Sequence, residues 1–300
     1  MEVGVKIDLV PEILKSLPRL DRAKGQRYHS QRPRMMARIL RGKILILFAT
    51  LCAVPLQLNT QERTDQPRLA AILNKSAEYC RRLEKAAIDF VCLEEVTELS
   101  VHFTPDTEVY LYDYQFIKKN KQTKETRNLI AVNGRKTNIR DSSLQTVMFL
   151  YENVLFGPIG LLSESWQPYF DYRLIGEDTI GKERAVVIEA KPGQELVEPH
   201  CYGRIWVKED DGSILKIVWD QKSLGNYRMI EEFAKSHDAE PQITAFSEYG
   251  REKNGLRFPS RNYSEQAYSR SGKRKIVRAR ISVVYKKYKF FTVETEVDIK

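Results

Sequence analysis

The chain is 300 residues long, 42% apolar and 30% charged, a balance that supports a folded core and excludes wholesale disorder. Its net charge of +9 is unevenly placed, because residues 1–61 hold eleven Lys and Arg against four Asp and Glu. The remainder is close to neutral and carries no RNP, KH or zinc-finger pattern, which excludes nucleic acid as a partner.

The first segment reads as a leader. Ile44 to Leu56, ILILFATLCAVPL, is an apolar run of thirteen residues, short of the roughly twenty that span a bilayer. Basic residues from Arg34 to Lys43 precede it and polar Gln57 to Gln66 follows, which is the order of a signal peptide. Met35 and Met36 stand where such a peptide begins. Residues 1–61 are therefore assigned to a leader, with a misassigned start and a signal peptide at about 35–58, and residues 62–300 to one exported domain of the periplasm or cell envelope. No Ala-x-Ala cleavage motif is present, so an uncleaved leader that keeps the protein on a membrane, or a buried helix, is the alternative. Leu51 ahead of Cys52 argues against lipidation at that cysteine.

From Gln66 onward Leu69, Ile72, Leu73, Ala77, Cys80, Leu83, Ala87 and Phe90 recur at spacings of three and four. That period predicts an amphipathic helix of about twenty residues. Export permits disulfides. Cys80 and Cys92 are one candidate pair across the helix-to-strand junction, and a buried, unbridged Cys80 is the other reading.

Strands are predicted at Val91 to Phe103, Thr107 to Lys118 and Thr126 to Asn133, with Asn133-Gly134 as a hairpin signal. The second of these places Tyr110, Tyr112, Tyr114 and Phe116 on one face. Ser143 to Phe156 has helical spacing. GPIGLL follows at 157–162, an apolar loop that reads either as a lid over a cavity or as a loop tucked beneath the sheet. Further strands are predicted at Tyr169 to Asp178, Glu183 to Lys191, Cys201 to Lys208, Ile214 to Asp220, Thr244 to Gly250, Leu256 to Gln266, Lys275 to Lys286 and Phe290 to Ile299, around a polar stretch from Gly225 to Pro241. Ten or eleven strands without βαβ alternation predict a mainly β fold with some α, a curved antiparallel sheet or unclosed β-barrel covered by helices.

Catalytic signatures are absent: there is no HExxH, Gly-x-Ser-x-Gly, Walker loop or Gly-x-Gly-x-x-Gly. Glu198, His200 and Cys201 form one local group of metal-ligand residue types, but neighbours on a strand point to opposite faces and do not converge. No metal and no cofactor is implied. The paired carboxylates Glu94-Glu95, Glu231-Glu232 and Asp210-Asp211 read as solvated faces or turns. A barrel of this size encloses a ligand cavity or fills with side chains. The four-residue aromatic row is therefore either the wall of a cavity or a packed face under the helix.

Behind the leader and the long helix come Leu174-Ile-Gly-Glu-Asp-Thr-Ile-Gly-Lys182 running into Ala185-Val-Val-Ile-Glu-Ala-Lys-Pro192, Gly203-Arg-Ile-Trp-Val-Lys208 with Asp211-Gly-Ser-Ile-Leu-Lys216, and Gly255-Leu-Arg-Phe-Pro-Ser260. In these segments the chain resembles the lipoprotein-sorting carriers LolA and LolB and the wider carrier-like group of exported proteins. The resemblance covers about residues 66–300. It implies an unclosed antiparallel barrel whose apolar cavity takes acyl chains, with no catalytic residue. The expected function is non-catalytic binding of a lipid, acyl chain or lipidated protein, with Tyr110, Tyr112, Tyr114 and Phe116 as wall and Ile159, Leu161 and Leu162 as lid. The alternatives are an envelope scaffold or sensor that meets a protein partner through its surface, such as basic Lys273 to Arg280, and a hydrolase assembled from distant residues.

Overall fold

The computed structural model describes residues 6–9, 60–101, 104–119, 122–146, 149–193, 200–270 and 274–291. A short strand β1 (Lys6–Leu9) comes first, followed by helix α1 (Thr60–Lys85). Leu69, Ile72, Ser76, Tyr79, Cys80 and Leu83 form the buried stripe of α1, the three-and-four spacing of a helix lying on a sheet. The predicted stripe is corrected at its end. The helix stops at Lys85, and Phe90 belongs to strand β2 (Ile88–Val101), whose side chains alternate buried and half-buried from Ile88. Phe90 lies seven residues beyond Leu83, which fits the helical period, and two beyond Ile88, which fits the strand period.

Strands β3 (Pro105–Lys119), β4 (Gln122–Val132) and β5 (Arg135–Ile139) continue as a meander from β2. The β4–β5 turn is Asn133-Gly134, both at positive φ, as a two-residue hairpin of this kind requires. The helix predicted over 143–156 is not formed. The chain instead makes strand β6 (Phe149–Glu152), with Phe149 and Tyr151 buried and Leu150 and Glu152 exposed, and then a 3₁₀ turn at Val154–Phe156. Asn153 at φ 55 separates the two, a left-handed backbone that a helix does not pass through. β6 pairs antiparallel with β1, so residues the sequence assigns to a leader form a two-stranded ribbon with the domain.

The chain then makes one helical turn, α2 (Ile159–Leu162), and a second meander of β7 (Phe170–Ile180), β8 (Glu183–Pro192), β9 (Gly203–Val207) and β10 (Ile214–Trp219). The polar stretch after it is a ten-residue helix, α3 (Tyr227–Ser236), which buries Ile230 and Ala234. β11 (Glu240–Glu248), the hairpin β12 (Arg251–Lys253) and β13 (Leu256–Phe258), β14 (Arg261–Ser269) and β15 (Ile276–Phe290) complete the described chain. The single strand predicted over 256–266 is thus two, broken at Pro259, which has no N–H to donate. Of the strand predicted over 290–299, residues 292–299 lie outside the described residues.

The two meanders join where β15 pairs with β2. The result is an eleven-stranded antiparallel sheet in the order β5-β4-β3-β2-β15-β14-β11-β10-β9-β8-β7. It is unclosed: β5 and β7 are its two edges and do not pair with each other. The segment between them in sequence, residues 140–169, contains β6 and α2 and runs from one edge to the other.

At the β9–β10 turn Gly212 has φ +70, and a Cβ there would lie 2.4 Å from the backbone of Lys75 in α1. Neither the conformation nor the space suits a side chain. Gly212→Ala is expected to cost about 1–3 kcal/mol, read as a drop in Tm with the fold retained by circular dichroism. An unchanged Tm would show that this turn does not press on the helix.

Candidate functional site

The concave face of the sheet is assembled from alternate residues of its strands. Tyr110, Tyr112, Tyr114 and Phe116 of β3 all lie on that face and are all buried. Across β2 they meet Val96, Glu94, Cys92 and Phe90, and across β4 Tyr114 lies opposite Arg127 and Phe116 opposite Glu125. Tyr285 of β15 is the other neighbour of Glu94. Phe116 stacks on Phe90, ring centroids 5.4 Å apart, and Phe90 continues into Phe258, Tyr288 and Phe290.

Laid over this face is a stretch of ten buried residues, Val154 to Ser163, sequence VLFGPIGLLS. Ile159, Leu161 and Leu162 are among its most deeply buried members. Its contacts reach several strands of the concave face. Phe156 packs on Phe116 of β3 at 5.6 Å, and the Tyr249 hydroxyl at the end of β11 donates to the Val154 carbonyl at 2.8 Å. The Tyr172 hydroxyl of β7 donates to the Leu161 carbonyl. On the helix side the Cys80 thiol donates to the Pro158 carbonyl at 3.6 Å, and Gln167 Nε2 donates to the Leu162 and Leu73 carbonyls at 2.8 and 2.9 Å. His200 stacks on Trp166 with centroids 4.0 Å apart and makes a 2.6 Å hydrogen bond to the Gly160 carbonyl. Burial holds the imidazole below its usual pKa despite that bond. The apolar loop is therefore a plug between α1 and the sheet, and the residues expected as wall and as lid lie in one buried cluster.

A polar network sits inside this apolar setting. Arg127 donates from Nε to Glu94 Oε2 at 2.7 Å and from Nη2 to Glu94 Oε1 at 3.2 Å, while its Nη1 reaches Glu125 Oε2 at 3.3 Å. The side chain of Glu94 is 0% exposed, that of Arg127 10% and that of Glu125 15%. The guanidinium lies over the rings of Tyr114 and Tyr151, at 4.7 and 5.5 Å from their centroids. Two donors arrive from the β6 segment: the Tyr151 hydroxyl to Glu94 Oε1 and the Asn153 N–H to Glu125 Oε1, both at 3.1 Å. Burial opposes the Arg127 charge, but Glu94 more than offsets it and holds the guanidinium firmly protonated. Burial also raises the Glu125 carboxyl above its usual range, against the pull of Arg127.

This network was missed in the sequence. Glu94-Glu95 reads as a solvated pair, yet only Glu95 faces out, where Lys286 meets it at 3.0 Å. Glu94 points inward because strand neighbours alternate faces, and its partner lies 33 residues away across two strands. The Cys80–Cys92 bridge is not formed. Both are buried free thiols, Cys80 turned to Pro158, and burial drives both thiols well above the ordinary range. Glu198 lies outside the described residues. His200 and Cys201 diverge, since the Cys201 thiol donates to the Ser223 carbonyl. Ser236 and His237 are within 2.9 Å, but they cap the C-terminus of α3, where the His237 ring also meets the Phe233 carbonyl. In the basic segment Lys275 and Arg280 both converge on Glu265, at 2.7 and 2.6 Å.

No protein-family model and no curated protein matches the chain. Solved structures do. It is similar to a domain assigned to outer membrane lipoprotein sorting from Vibrio parahaemolyticus, at 11% identity over 75% of this chain and 94% of that one, with a TM-score of 0.39. A LolA superfamily protein from Nitrosomonas europaea is 12% identical over 76% and 97%, with a TM-score of 0.30. The Pseudomonas aeruginosa MucA/MucB complex is 12% identical over 74% and 98%, with a TM-score of 0.21. The fold is that of an unclosed, helix-covered antiparallel sheet. What this chain does has to be argued from its own geometry.

Arg127→Met leaves Glu94 buried without its partner and is expected to cost about 3–5 kcal/mol in urea unfolding, most of it recovered when Glu94→Leu is added. Equal losses in the single and double variants would contradict a coupled pair. Cys80 and Cys92 are expected to react with a thiol reagent only after denaturation, at an unfolding-limited rate. Labelling of either in the native protein would contradict their burial.

Proposed function

We propose that the protein is an exported, non-catalytic binding protein of the cell envelope whose curved sheet takes an acyl chain, free or attached to a protein, in the space its own plug occupies. The observation that supports this most is the plug itself: ten consecutive buried residues, nine of them without a polar side chain, that belong to neither meander and span the interior between the unpaired edges β5 and β7. An apolar segment on an aromatic wall is replaceable by an apolar chain, each methylene transferred from water contributing about 0.8 kcal/mol. Tyr110, Tyr112, Tyr114 and Phe116 are the wall in this reading. Ile159, Leu161 and Leu162 are the part that moves aside. The signal-like segment at about residues 35–58 directs export in this reading, and no cofactor is required.

The filled interior also favours a second reading. If the plug never leaves, the protein is a scaffold or sensor that acts on a protein partner through its surface.

Native mass spectrometry of the protein purified from the envelope fraction, followed by organic extraction, separates the two. The carrier reading expects a co-purifying acyl compound, lost in Leu161→Asp provided that the variant keeps its circular dichroism spectrum. If that variant unfolds, uptake of monopalmitoylglycerol by the delipidated wild type is the deciding measurement. An apo mass with no uptake contradicts the carrier and leaves the scaffold.

A further inference from the structure

The plug also indicates what a ligand's polar end looks like. This inference rests on the carrier reading above. At the start of the plug two groups enter the buried network, the Tyr151 hydroxyl on Glu94 and the Asn153 N–H on Glu125. Both are donors, and both meet carboxylate oxygens. When the plug moves and draws the end of β6 with it, those two oxygens lose their partners inside a low-dielectric interior, where an unsatisfied acceptor costs about 1–3 kcal/mol and more when charged. The lost bonds are regained only by another donor.

The charge balance points the same way. One guanidinium faces two carboxyl groups, and it is already engaged by Glu94 through two of its nitrogens. Whether Glu125 is ionised or protonated, the cluster has no surplus positive charge to offer an anion. Lys118, further along the same face of β3, is turned to the carbonyls of Glu84 and Ala86 at the end of α1. The tyrosines around the cluster do not change the sum: Tyr112 accepts the Gln145 N–H at 3.0 Å, and Tyr110 is turned to Glu108. An anionic head group placed here would meet the Glu94 carboxylate, and Glu125 wherever it is ionised, without compensation, a like-charge contact in a dry site.

We infer that the site selects acyl compounds whose head group donates hydrogen bonds, a hydroxyl or an amide N–H, and rejects those that end in a carboxylate, because Glu94 and Glu125 receive the donors that Tyr151 and Asn153 now supply. The hydroxyl form corresponds to an acylglycerol and the amide form to an N-acylated peptide. The nearest contacts to the plug define the depth at which that head group rests: the chain lies along Phe116 and Tyr249, and the donor ends beside Arg127.

The test is a competition assay on the delipidated protein with a fluorescent acyl probe, using three compounds with the same sixteen-carbon chain: monopalmitoylglycerol, an N-palmitoyl dipeptide amide and palmitate, each below its micellar concentration. At least one of the two donor compounds is expected to bind about tenfold or more tighter than palmitate, the factor that corresponds to one charge-assisted hydrogen bond, and the better of the two distinguishes the lipid from the peptide source. Tyr151→Phe, which removes the competing donor while keeping the ring, is expected to tighten the donor compounds several-fold and to leave palmitate unchanged. Palmitate binding as tightly as the donors, or a Tyr151→Phe effect shared by all three, overturns the inference while the carrier reading stands. Binding of none of them to either protein removes the carrier reading and this inference with it.

Discussion

An antiparallel sheet whose two outer strands do not meet has to cover its inner face with something other than itself. In a closed barrel the strands enclose their own interior. Here β5 and β7 end the sheet on either side, and the concave row of Tyr112, Tyr114 and Phe116 would be wet without a cover. Two elements supply it. Helix α1 lays its Leu69 to Leu83 stripe over the plug and the β7 edge, and the connection between the two edges folds inward as β6, the 3₁₀ turn and α2. The chain that has to travel from edge to edge is the chain that fills the gap.

That arrangement explains why a charged network lies in an otherwise apolar place. Arg127 and Glu94 are held diagonally across β4, β3 and β2, with Tyr114 between them under the guanidinium. A buried pair of this kind is a weak source of stability compared with apolar packing of the same volume. What it provides is register and position. Glu94 and Glu125 accept from two groups two residues apart, Tyr151 and Asn153, and so they fix where the chain leaves β6 and enters the plug. The backbone helps at the same point, since Asn153 takes a left-handed conformation that turns the chain out of the strand direction. Apolar contacts hold the plug down, and the polar bonds determine where it begins.

Much of the sheet was legible in the sequence because its signals are local. Asn133-Gly134 marks its hairpin, and the Tyr110 to Phe116 alternation marks its strand. The spacing from Leu69 to Leu83 marks α1. The parts that were not legible depend on distant partners. β6 looked helical because its alternation of buried and exposed residues lasts only four positions, too few to stand apart from the helical spacing of the longer apolar run around it. α3 looked like a polar loop because only Ile230 and Ala234 are fully buried in it. Glu94 looked solvated because nothing local distinguishes it from Glu95; its burial is decided by which face of β2 turns toward the plug, a choice made by the whole sheet. For the same reason the aromatic row could be identified as one face while its inward orientation could not.

The claim on which this account depends is that residues 154–163 are a replaceable cover and not a permanent part of the core. Hydrogen exchange of the amides of Leu161, Leu162 and Ser163, which bond only within the plug's own turns, measures this directly when it is followed with and without a saturating acyl compound. The account predicts that ligand speeds exchange at these amides while those of the β2–β3 pair stay protected, the signature of a local opening below the global unfolding energy. Exchange at the plug that matches β2–β3 and is unmoved by ligand would contradict it.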